Sequence, residues 1–454
     1  MTDRILVDFR GPGSGVGELT WGQRTVWRVV VKTGRSETMG GVVPLPAGST
    51  VDDSVAVLRY VMGRHQSLRT RLSFDGADGG PRQRVSESGQ IALEVVDAGI
   101  DDPAEVAEQV RRRYADTDFD YEHEWPVRMA VVVAGADRAA THSVAVYNHL
   151  AIDAHGMEAM IADLSTMDHK TGGPTMPLDC TQPLELAEQQ RKPNVLRNSE
   201  AALRYWERVL RAVAPRRVDG ESDDRREPRW GTLSLESPAA LLATQAIAAR
   251  LGTDTSPVLL AGYASALART VGNNPVVLQI AVNNRFRQSL LGSVSTMAQT
   301  CPLMVDLAEV PFDEAVHRAR QATMVTYKYA YYDPERRAAM VEAVAADLGG
   351  PVEMDTYFND RRPPGREERF LVAPEPEEIL AARERTTHEW VSWTDVDNPL
   401  LYLDVDEEPA AVRFSLTADT HRVAPADALG LLTEVETVLV AAALDPAATT
   451  GVSA

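Results

Sequence analysis

The chain has 454 residues, 44% of them hydrophobic and 25% charged, with a formal charge of -20. That length exceeds one ordinary core and predicts two domains of about 200 residues each, while the composition excludes a disordered chain. The acidic balance excludes a nucleic-acid partner, which requires a basic stripe.

No apolar run reaches the roughly 20 residues of a membrane span. Met1-Thr2-Asp3-Arg4 carries no secretion signal, so a cytoplasmic location is expected. Cys180 and Cys301 lie far apart and form no CxxC pair, which argues against a disulfide framework or a zinc ribbon.

Residues 11–17 are glycine-rich, but Val16 stands where GxGxxG needs its third glycine, Pro12 breaks GxSxG, and no lysine follows. The segment reads as a flexible entry loop. Thr20 opens an amphipathic helix through Trp27. Thr50-Val51-Asp52-Asp53 reads as a capping box before a helix with Val51, Val55, Leu58 and Met62 on one face. Strands are expected at 72–74, 91–96, 127–133 and 143–147, with a helix near 103–114.

The run Ser143-Val144-Ala145-Val146-Tyr147 leads into Asn148-His149-Leu150-Ala151-Ile152-Asp153. A helix follows, with Met157, Met160, Ile161 and Leu164 on one face. His149 therefore sits where a strand ends and the chain turns. Imidazole titrates near neutral pH, so it can take a proton from a nucleophile and return it to a leaving group. Asp153, four positions on, can fix the turn that presents the ring. Spacing alone also allows a solvated loop histidine beside a helix-capping aspartate.

Residues 168–197 read as a linker, and 215–229 as a second polar stretch, with a helix near 201–210 between them. Beyond these, helices are expected at 237–250, 256–270, 312–330, 335–348 and 425–444. Strands are expected at 276–283, 302–307, 353–359 and 411–417. The resulting division is a lobe at 1–180 and another at 181–454.

Several segments resemble, in order, the motifs of the condensation-domain superfamily of nonribosomal peptide synthesis. Thr20-Trp21-Gly22-Gln23 resembles the first motif, and Arg64-His65-Gln66-Ser67-Leu68-Arg69-Thr70-Arg71-Leu72 is close to RHxxLRTxF, with Leu72 at the Phe position. His149 and Asp153 fall on HHxxxDG, and Tyr205-Trp206 on a YW helix. Asn284-Arg285-Phe286-Arg287 with Thr300-Cys301-Pro302 resembles the lobe-bridging region, and Tyr357-Phe358-Asn359 a later SFN-like strand.

The resemblance implies an α/β fold (an α+β sandwich) of two chloramphenicol acetyltransferase-like lobes in a V-shaped pseudo-dimer with a tunnel between them. Bridging segments would lie near 285–306 and 359–395. His149 would be catalytic, and Asp153 would pair structurally with Arg285, or less readily with Arg287. Asn148 would be a hydrogen-bonding spacer. Ala154, Gly156, Gln299 and Cys301 would line the tunnel, although Cys301 by itself reads as a buried apolar thiol. His65 would be structural.

This chain departs from the family pattern at Asn148, Ala154, Gln299 and Met304, which points to a free-standing, divergent member. The implied reaction transfers an acyl or aminoacyl group to an amine, forming an amide, with ester formation as the variant. The donor would be the phosphopantetheine thioester of a carrier protein acting in trans, or coenzyme A. No bound cofactor is expected, and a monomer is. A catalytically silent scaffold that recruits partners to a carrier-bound intermediate is the alternative. A metal site at His149, Asp153 and His155 matches no standard spacing.

Overall fold

The computed structural model describes residues 2–76, 79–168, 170–213, 222–362 and 374–453. Parts of the expected 215–229 stretch and of the 359–395 segment, namely 215–221 and 363–373, lie outside the described residues. The chain forms two compact units: Met1–Arg197 with Asn283–Gln299, and Asn198–Val282 with Thr300–Ala454. Residues 181–197 and 283–299, expected on the second lobe, thus belong to the first. Hydrogen bonds tie them there. The Thr181 amide donates to Ser289 O (2.8 Å), the Ser293 hydroxyl to Thr181 O (2.7 Å), and the Trp21 amide to Gln190 Oε1 (2.9 Å).

In the first unit a five-stranded sheet runs in the order Thr2–Arg10, Ser88–Asp97, Val127–Ala134, Ala139–Asn148, Thr38–Pro44. Only Ser88–Asp97 and Val127–Ala134 pair in parallel, and the helix Pro103–Asp116 makes their crossover. Alternation along Val127–Ala134 feeds both faces. Met129, Val131 and Val133 join Leu58 and Met62 of the helix Val51–Arg64, whereas Ala130 and Val132 meet Ala107, Val110 and Tyr114. Both expected helix starts are present as reciprocal capping boxes, Thr20 with Gln23 and Thr50 with Asp53.

The second unit is built on a seven-stranded sheet in the order Gln299–Val305, Val276–Val282, Thr356–Asp360, Leu401–Glu408, Ala411–Asp419, Trp230–Ser237, Thr387–Thr394. Its core holds residues from the helices Pro238–Leu251, Thr255–Val271 and Pro425–Leu444. No helix among the described residues is long and apolar enough to cross a membrane.

Three expectations are corrected. The 168–197 linker contains the helix Pro183–Gln190 and the start of Pro193–Ala212, because proline at the first helical position favours initiation. The entry loop is partly strand, Gly15–Glu18, and it is pinned. Arg69, fully buried, donates to the carbonyls of Pro12, Gly13 and Ser86. Gly11 is required there, since a Cβ would lie 2.0 Å from Gly63 O. Ile161, expected on the core face of its helix, is 59% exposed, at the margin of the stripe made by Met157, Met160 and Leu164.

One buried acid of the second unit yields a pH prediction. Burial pushes the Asp404 carboxyl up to about 6, although Arg361 and the Asn359 amide at 2.8 Å oppose the rise. Between the ordinary carboxylate pKa and about 6, the native state holds a proton that the unfolded chain has lost. Stability therefore falls as pH rises through that window and levels off above it. In urea unfolding, D404N is expected to gain on wild type by on the order of 3 kcal/mol between pH 4 and pH 7.5. Parallel pH curves for the two proteins would contradict this.

Candidate functional site

The strand Ala139–Asn148 delivers His149 into a four-residue turn, and the helix Ala154–Leu164 follows. Asn148 organises the turn. It is buried, its backbone carbonyl accepts from the Ala151 amide at 3.1 Å, and its side-chain oxygen accepts from the same amide at 3.2 Å. The amide that replaces the family's first histidine thus makes its hydrogen bond within the turn itself.

The ring of His149 is held from one side. Its Nδ1 lies 2.8 Å from Ile152 O. A carbonyl only accepts, so Nδ1 carries the hydrogen and Nε2 keeps its lone pair. No hydrogen bond to Nε2 is found among the described residues, and the side chain is half-buried. The backbone around the ring is also tied. The His149 amide donates to Glu37 O at 2.8 Å, and the Thr296 hydroxyl donates to His149 O.

Asp153 lies 2% exposed and receives five hydrogen bonds. Gly156 N and Arg285 Nη2 reach Oδ1 at 2.7 Å each. Arg285 Nη1 and Met297 N reach Oδ2 at 2.9 Å, and Ala298 N at 3.0 Å. Burial alone would raise the Asp153 pKa, but the Arg285 charge and these donors outweigh it and hold the carboxyl below its usual range.

Asp153 is therefore both a helix cap and one half of a buried ion pair. The capping alternative and the ion-pair expectation are true together. With its lone pairs engaged, this carboxylate has no capacity for a metal, and no three His, Cys, Asp or Glu side chains among the described residues form a metal-binding group. Arg285 also donates to Ser295 O at 2.8 Å and Ser293 O at 3.2 Å, which gathers the 283–299 segment around the turn.

Gly156 is buried, and its N–H is committed to Asp153; an added Cβ would sit 3.1 Å from Asp153 Oδ1 and from Ser295 O. Ala154 is exposed at the first helical position. Gln299 is buried near Thr25 Oγ1 (3.4 Å) and Asn284 Nδ2 (3.5 Å). Cys301 is fully buried in the core of the second unit, with Sγ 3.4 Å from Tyr329 O, and burial pushes its thiol pKa up. The buried-thiol reading holds for it, and a lining role does not.

The RHxxLRT residues form a brace. Arg64 Nε donates to Asp163 Oδ2 at 3.0 Å and Nη2 to Oδ1 at 2.5 Å, while His65 Nε2 lies 3.2 Å from Oδ2. Asp163 belongs to the helix that Asp153 caps, so one helix is clamped at both ends. Burial pushes the His65 pKa down, which keeps that ring neutral despite Asp163. Sequence reasoning missed Asp163 and Glu37, which belong to no quoted motif.

Two mixed α/β units of this topology define a chloramphenicol acetyltransferase-like fold. Similar solved structures include SgcC5 from Streptomyces globisporus (TM-score 0.70, 20% identity, 95% of this chain and 100% of that one). Another is the first condensation domain of the calcium-dependent antibiotic synthetase (TM-score 0.72, 17% identity, 97% and 98%). The family model "Condensation domain" matches residues 51–337, and the chain belongs to that family.

Among curated relatives, the AMB antimetabolite synthetase AmbB of Pseudomonas aeruginosa is 26% identical over 303 residues, 65% of this chain and 24% of its own length. The isonitrile lipopeptide synthase of Mycobacterium tuberculosis is 28% identical over 289 residues, 60% of this chain and 11% of its own length. The chain spans about a quarter or less of such relatives.

Proposed function

We propose that the chain is an acyltransferase of specialised metabolism that forms an amide. An acyl or aminoacyl group would move from the phosphopantetheine thioester of a carrier protein in trans, or of coenzyme A, to a small amine. One observation carries the reading: the His149 ring is bound through Nδ1 and leaves an Nε2 lone pair, while Asp153 and Arg285 lock the turn beneath it.

In this reaction the amine nitrogen attacks the thioester carbonyl carbon, and a C–N bond forms as the carbonyl π pair moves to oxygen. His149 Nε2 removes the N–H proton. The oxyanion then re-forms the carbonyl, the C–S bond breaks, and the thiolate takes the proton from the imidazolium. Asp153 does not touch Nδ1, because Ile152 O occupies it. Its part is to position the turn.

Asn148 in place of a histidine does not favour a silent scaffold, since it strengthens the turn that presents His149. The reading is tested by intact-mass assay of loaded carrier proteins and acyl-coenzyme A donors against a panel of amines. Amide products dependent on the protein are expected. Unchanged donors across both donor types would remove the proposal.

A further inference from the structure

Glu37 lies outside every motif above, yet the register places it opposite the candidate base. The strand Thr38–Pro44 pairs antiparallel with Ala139–Asn148, with Thr38 against Asn148. One step further brings Glu37 to His149, and the 2.8 Å bond from the His149 amide to Glu37 O closes that step. Directly opposed residues of an antiparallel pair project to the same face, with Cβ atoms about 4.5–5.5 Å apart.

The carboxylate is half-buried and makes no hydrogen bond or ion pair with any described residue. Burial pushes its pKa up, an effect that the imidazolium form of His149 would partly offset. An acid held partly out of water without a protein donor carries a cost that a bound donor can reduce. Its surroundings indicate what such a donor is attached to. Tyr121 stands near enough for the Glu37 charge to disfavour its phenolate. The Tyr121 ring contacts Trp27 edge-on at 5.5 Å, Trp27 lies 5.8 Å from Phe74, and all three pack against the apolar cluster of Leu19, Val26, Val30, Leu72 and Leu150, the last of which is the chain neighbour of His149.

A carboxylate, a base and an aromatic cluster complement a cationic nitrogen on an apolar body. We propose that Glu37 receives the ammonium group of the acceptor and removes its first proton beside His149, selecting primary amines that carry an apolar or aromatic group. This rests on the acyl-transfer reading, and it supplies what that reaction lacks. An amine at neutral pH arrives as an ammonium ion with no lone pair. Glu37 accepts one proton and becomes a carboxylic acid, and the neutral amine attacks. His149 moves the second proton from nitrogen to sulfur, and Glu37 then returns its proton to water. The net change converts ammonium and thioester to amide, thiol and one proton.

The test compares benzylamine, cationic at pH 7.5, with O-benzylhydroxylamine, a near-isostere that is neutral there. Dissociation constants come from ligand-observed NMR, and turnover from the intact-mass assay, for wild type, E37Q, E37D and H149A. Wild type is expected to prefer benzylammonium by roughly ten-fold or more. E37Q loses that preference and raises KM for benzylamine by a similar factor, E37D restores part of it, and H149A keeps it while losing turnover.

A wild-type protein that binds neither probe, or both equally, overturns the proposal. So does an E37Q variant that keeps the preference. Ammonium preference without amide formation in wild type would remove the acyl-transfer reading and leave Glu37 as an ammonium site; amide formation without preference would remove only the role of Glu37.

Discussion

H149A is expected to lower amide formation by about 10²–10⁴-fold, the usual contribution of a positioned general base. The protein should still fold. The ring is half-buried, and the bond from Nδ1 to Ile152 O is its one side-chain hydrogen bond among the described residues. Losing it costs about 1 kcal/mol. Urea unfolding of H149A should therefore lie within that margin of wild type, which separates a chemical defect from a structural one. ¹⁵N NMR of the imidazole supplies a second check. The neutral ring is expected to carry its proton on Nδ1, and a wild-type ring protonated on Nε2 would contradict the proposed base. Turnover in H149A equal to wild type would end the acyl-transfer account.

The second large effect is expected at Asp153. Removing the carboxylate strands the Arg285 guanidinium at 5% exposure and leaves the amides of Gly156, Met297 and Ala298 without their acceptor. Breaking a buried pair from one side costs about 3–5 kcal/mol. Whole domains are stable by only about 5–15 kcal/mol, so D153A should lose a large share of its stability and unfold at markedly lower urea than wild type. A double-mutant cycle on D153N and R285M isolates the pair. The double variant is expected to be more stable than the sum of the single losses by several kcal/mol, because neither charge is then left alone in the interior. Additivity within about 0.5 kcal/mol would mean that the pair does not clamp the turn.

Local chemistry made much of this legible. Both capping boxes rest on contacts three residues apart, and the 425–444 helix is observed at Pro425–Leu444. The Asp153–Arg285 pair was also reached, through resemblance and not spacing, since 132 positions separate the two residues. What stayed hidden depends on register or on distant packing. Glu37 meets His149 only because two antiparallel strands align at Thr38 and Asn148. Asp163 meets Arg64 and His65 across about a hundred residues. The strand Thr2–Arg10 escaped notice although Val7 and Phe9 are buried and Leu6 is exposed, an alternation readable in principle. The prolines at 183 and 193 fall in the stretch read as a linker, whereas in the structure they lie at helix starts.

The passage of residues 283–299 into the first unit bears on how such enzymes can be recombined. A truncation ending near residue 197 would carry His149 and Asp153 but leave their arginine behind. Anyone grafting one half of this protein onto a homologue should therefore choose crossover points that transplant those seventeen residues along with the amino-terminal portion, or redesign both partners at the junction.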